Sequence, residues 1–91
     1  SIMFAVLECL ENDEPPVSIH VFDDYDAAYE DFVRLAAEDL RGCTIVDDAD
    51  ETIRKSHPHN GEPQCYTAGE YYVSLHTSGV TLHLSKAAAH G

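Results

Sequence analysis

Not one lysine or arginine occurs among residues 1 to 33, and the whole chain of 91 residues has only five, against seventeen aspartates and glutamates. The formal net charge is -12 and the pI is near 4.5. This shortage of cations excludes direct binding to nucleic acid or to an anionic membrane, because a protein that binds phosphates must replace their counterions with its own charges. The natural partners of such a surface are basic. Cysteine is also scarce: Cys9, Cys43 and Cys65 are odd in number and have no paired spacing. They read as reduced thiols of a cytoplasmic protein rather than as a disulfide framework. No charged segment followed by an apolar stretch marks a signal peptide, and no apolar run approaches the ~18 residues of a membrane span. Glycine-rich phosphate loops and nucleophile elbows are missing too, so the expectation is a protein that is not an enzyme.

What is present suits one small domain over residues 1–91. Ser1 and Ile2 in front of Met3 read as an expression scar, and residues 87–91 as a frayed tail. Apolar residues make up 44% of the chain, enough for a packed interior and too much for a disordered segment. Residues 2–10, IMFAVLECL, form a nearly continuous apolar run of strand length, which predicts a central strand covered on both faces. ENDEPP, 11–16, is a loop, and VSIHVF, 17–22, alternates as the second arm of a hairpin.

From Asp24 the apolar period becomes helical, with Tyr25, Ala28, Tyr29, Phe32, Leu35, Ala36 and Leu40 at steps of three and four. Asp23 or Asp24 is the expected N-cap, and Arg41 before Gly42 the expected end, giving a helix over 25–41. CTIV, 43–46, is read as a short strand, and 47–56 as a capped turn or two of helix. A loop follows over 56–64 and a brief strand at 65–67. Finally, 71–85 has the pattern of a hairpin with Ser78 and Gly79 at its turn, setting Leu75 opposite Leu82. The expected architecture is α+β: a small antiparallel sheet of four or five strands with N-terminal and C-terminal hairpins, one main helix packed on one face, and a short second helix.

Three constellations are candidates for function. His57, His59 and Cys65 are zinc-ligand types within nine residues, but no fourth ligand is supplied by CxxC or HxxxH spacing. Solvated loop histidines are the plainer reading, and no metal or cofactor is assigned. His76 and His83 should lie diagonally on the polar face of the last hairpin, joined by His20 if the strands are neighbours. That patch is more often just the wet face of a sheet. DDADE, 47–51, has carboxylates at short spacing but lacks the glycine and the twelfth-position glutamate of a calcium loop.

The acids carry the sharper hypothesis. Asp23, Asp24, Asp26, Glu30 and Asp31, with Asp47, Asp48, Asp50 and Glu51 and the loop acids Glu11, Asp13 and Glu14, are expected to gather into one negative surface. Duplex DNA offers a basic protein one negative charge per roughly 1.7 Å of axis, and a rigid carboxylate surface competes for the same lysines and arginines. In size, acidity and compact α+β design the chain resembles the small inhibitors of phages and mobile elements, such as anti-CRISPR and anti-restriction proteins. That likeness is one of overall character and covers no aligned segment. It implies a DNA mimic, monomeric or homodimeric, that blocks a basic nucleic-acid-binding protein. The alternatives are an accessory module with an apolar interface, whose acids merely keep it soluble, and a small metal-binding protein that uses the loop histidines.

Overall fold

A computed structural model describes residues 3–77 of the chain. Six elements occur there: strands β1 (Phe4–Cys9) and β2 (Ser18–Phe22), helices α1 (Tyr25–Cys43) and α2 (Ala49–Ser56), and strands β3 (Gln64–Ala68) and β4 (Tyr71–His76). The four strands form one antiparallel sheet in the order β2-β1-β4-β3, with α1 across one face. The α+β architecture read from the sequence is the one found.

Pairing fixes which side chains look where. Val6 lies opposite His20 and Leu75, and Tyr66 opposite Val73, so these residues share the face under α1. There Val6, Tyr66, Val73 and Leu75 close on Ala28, Tyr29, Phe32, Val33 and Ala36 of the helix and Ile53 of α2. Ala5, Leu7 and Cys9 point the other way and are also buried, at 5% exposure or less. The nearly continuous apolar run of β1, broken only by Glu8, therefore belongs to a strand covered on both faces, as its composition predicts. Ser74, opposite Leu7 on that second face, is only 8% exposed, so this face is dry at its centre.

Both helices begin on an aspartate. Asp24 Oδ1 accepts the Ala27 N–H at 2.8 Å, and Asp48 Oδ1 accepts the Glu51 N–H at 3.0 Å, each satisfying a donor that has no partner inside its helix. The end of α1 differs from expectation. Gly42 lies inside the helix, which continues to Cys43 and stops at Thr44, whose N–H reaches the Leu40 carbonyl at 3.1 Å. No positive φ is needed at Gly42, because the extended backbone of Thr44 makes the stop. That extension also removes the strand expected at 43–46: Cys43 is helical, Ile45 is fully exposed, and Val46 only borders the core.

Gly69 and Glu70 make the two-residue turn between β3 and β4. Gly69 stands at φ 64°, the left-handed value that glycine adopts without a Cβ penalty. The hairpin observed with β4 is thus the one to β3, and β1 takes the other edge of β4. The Ser78–Gly79 turn, its second arm at 80–85 with Leu82, the tail at 87–91 and the leading Ser1–Ile2 lie outside the described residues.

Candidate acidic interface

Helical spacing and packing divide the acids picked out from the sequence. Asp26 and Glu30, one turn apart, face α2 and the loop after it; Asp31 faces β2, with Arg34 between the two flanks. Asp26 accepts from His59 Nε2 at 2.6 Å, and that imidazole stands edge-on to Tyr25 and Tyr29. Glu30 takes a bidentate grip from Arg54, both contacts at 2.7 Å, while the guanidinium lies 5.8 Å from the Tyr29 ring centre. These hydrogen bonds hold the Glu30 carboxyl below the usual carboxylate range and raise Arg54 above the usual guanidinium range.

Asp31, with its side chain only 12% exposed, binds Arg34 at 2.8 Å and His20 Nδ1 at 2.7 Å. Asp50 meets Arg41 at 3.3 Å and Glu51 meets Lys55 at 3.1 Å, whereas Asp24 and Asp48 serve as caps. Of the nine acids, only Asp23 and Asp47 have neither an ion pair nor a capping role among the described residues. Exposed pairs of this kind are worth about 0–1 kcal/mol each, so their main effect is to flatten the local field on α1 and α2.

Negative charge accumulates instead at one end of the sheet. There β1 leaves at Cys9 and β2 enters at Ser18, and the β3–β4 turn lies at the same end. Helix α1 starts at the opposite end, where Tyr25 meets Phe4 with ring centres 5.8 Å apart, and so it delivers its C-terminus here. The topology thus collects Glu8, Glu11, Asp13, Glu14, Glu38, Asp39, Asp47 and Glu70, where the cations among the described residues are Arg41, already turned to Asp50, and Arg34, which is held by Asp31 and reaches Glu38 at 3.5 Å. The negative pole of the α1 macrodipole adds to them.

Between α1 and the sheet, Glu8, Leu35, Glu38, Asp39 and Tyr71 line a recess of about 230 Å³. Two of its carboxylates accept from phenols: Tyr71 Oη donates to Glu8 at 2.7 Å, and Tyr66 Oη donates to Asp39 at 2.8 Å. Burial, and then those hydrogen bonds, push both phenols well above the ordinary tyrosine range. They remain neutral donors at physiological pH. Such a lining suits an ammonium or guanidinium group.

Sequence reasoning passed over Glu8, Glu38, Asp39 and Glu70 in choosing acids. The one available signal was Glu8, an acid set in an otherwise apolar strand; Asp39 already lay within the helix expected over 25–41, and it comes to this end because α1 starts at the Phe4 end of the sheet and runs across it.

The histidines separate as well. His57 donates from Nε2 to the Cys65 carbonyl at 3.0 Å and lies against Phe32 and Tyr66, which makes it part of the packing beneath α2. His20 looks toward α1, while His76, opposite Ala5, is on the other face of the sheet, so the two do not share a patch. His83 lies outside the described residues. Among the described residues, no group of three or more His, Cys, Asp or Glu side chains is arranged to hold a metal ion, and no helix is long and apolar enough to cross a membrane. Comparison with family models, with curated proteins and with solved structures finds no match to this chain.

Proposed function

We propose that this is a non-enzymatic acidic binding protein that engages a basic, nucleic-acid-handling protein in the cytoplasm and occupies its nucleic-acid groove, as a charge mimic of DNA. An inhibitor of the anti-CRISPR or anti-restriction type fits that description. The observation that carries the reading is the gathering of eight carboxylates from five separate segments at one end of the sheet, against two cations among the described residues, Arg41, turned to Asp50, and Arg34, which reaches Glu38 at 3.5 Å. Stability alone would not select this. Acids in the last turns of α1 oppose its macrodipole, and like charges at close quarters cost free energy unless a cationic surface meets them.

Attraction between such a surface and a lysine- and arginine-lined groove is long-range and screened by salt. Binding to a responsive nuclease or restriction enzyme, found in a panel titration, is therefore expected to weaken at least about tenfold between roughly 50 and 200 mM NaCl. Affinity that stays constant across the series would remove the electrostatic mechanism. It would favour instead an accessory module that binds through apolar surface, a reading supported by the fully exposed Ile45 and by Val21 on the edge strand β2.

A further inference from the structure

The loop between β1 and β2 forms a groove of about 360 Å³ lined by Leu10, Glu11, Glu14, Pro15, Pro16 and Val17. Its walls are of two kinds. Leu10 and Val17 leave 56% and 55% of their surface in water, an unusual outlay for two branched apolar residues lining one groove. Beside them stand Glu11 and Glu14, both exposed and neither in an ion pair with any described residue. The loop is also held in shape. Pro15 and Pro16 fix their own φ angles, and the Val17 N–H donates to the Glu8 carbonyl at 2.8 Å across the base. A pre-shaped groove loses little entropy on being filled.

We propose that this groove receives an extended segment of the basic partner, in which a bulky apolar side chain seats between Leu10 and Val17 while flanking lysines or arginines meet Glu11 and Glu14. Charge complementarity selects that occupant. Among the described residues no cation pairs with Glu11 or Glu14, and the four described cations are each engaged by other carboxylates: Arg34 by Asp31 and Glu38, Arg41 by Asp50, Arg54 by Glu30 and Lys55 by Glu51. The inference rests on the proposed function and adds to it a place of anchoring and a sequence preference: acids at this end supply attraction, and the groove supplies discrimination among basic surfaces.

Two fluorescent peptides test it by anisotropy, one alternating leucine with arginine and one with glycine in place of each leucine at equal charge. The leucine peptide should bind about tenfold tighter, the equivalent of burying about two side-chain carbons in all. The double variant Leu10→Ser with Val17→Ser, which touches only exposed positions, should bring the two peptides level. Glu11→Gln with Glu14→Gln should weaken both. Equal affinities in the unaltered protein, or a preference that survives the serine variant, would overturn the groove and leave the acidic reading intact. If neither peptide binds at low salt, both proposals fall. A homodimer that the serine variant dissociates would overturn this one by making a second copy the occupant.

Discussion

Phe32→Ala is expected to lower the stability of the fold by about 3–5 kcal/mol. Phe32 is completely buried at the centre of α1, packed against the rings of Tyr29 and His57, and it lies in the layer that joins the helix to the sheet and to α2. Truncation removes the transfer energy of the ring and leaves a cavity. The surrounding groups cannot easily close it, since Tyr29 is tied through its hydroxyl to the His57 carbonyl at 2.6 Å. A domain of this size has a total stability of only about 4–8 kcal/mol, so the variant should be substantially unfolded. Urea denaturation followed by far-UV circular dichroism reads this directly. A midpoint that moves by less than a fifth would mean that α1 is not seated on the sheet through this residue.

The second large effect is expected in alkali. In the unfolded chain a tyrosine loses its proton near pH ~10. In the folded protein, Tyr66 and Tyr71 are raised by burial and by donation to Asp39 and Glu8, and Tyr72 is pushed up to about 12 by its hydrogen bond with the Cys9 thiol and by burial. Burial moves Tyr29 the same way. Groups whose folded pKa is raised contribute stability that is fully present below the unfolded value and is lost as pH climbs above it. Each such phenol subtracts about 1.4 kcal/mol per pH unit once the unfolded form ionises, so Tyr66 and Tyr71 alone remove about 3 kcal/mol per unit.

Cooperative unfolding is therefore expected between roughly pH 11 and 12, from the same linkage. Phenolate absorbance should rise in step with the loss of ellipticity. Ionisation of Tyr66 and Tyr71 near pH ~10 while the fold persists would contradict the buried donor arrangement.

Most of the fold was legible in the sequence because its signals are local. The apolar run of β1, the helical spacing of Tyr29, Phe32 and Ala36, and the aspartates at the two caps each act within a few residues. The errors fell where a local signal met competition. Arg41-Gly42 looked like a helix end, yet the chain had a second stop at Thr44, and the β-prone CTIV was too short to keep its first residue out of the helix.

The site was harder to read. Charge counts predicted an acidic surface, but which acids remain unneutralised depends on contacts far apart in sequence, such as Arg54 with Glu30 and His59 with Asp26. It depends also on topology, which brings residues as distant as Glu8 and Glu70 to one end of the sheet. The pairing of Glu8 with Tyr71 joins positions 63 residues apart, and no sequence period announces it.

The central claim is that location, and not total charge, makes this protein a ligand for a basic surface. Two triple variants of equal net charge decide it. One carries Glu11→Lys, Glu14→Lys and Glu70→Lys at the acidic end; the other carries Asp23→Lys, Asp26→Lys and Glu62→Lys at the opposite end. Affinity for the same basic, DNA-handling protein is measured at one salt concentration. The first variant should lose at least about tenfold more affinity than the second, because only it removes charge at close range, within a Debye length of the contact. Equal losses would show that the partner senses only overall charge, and would contradict the account.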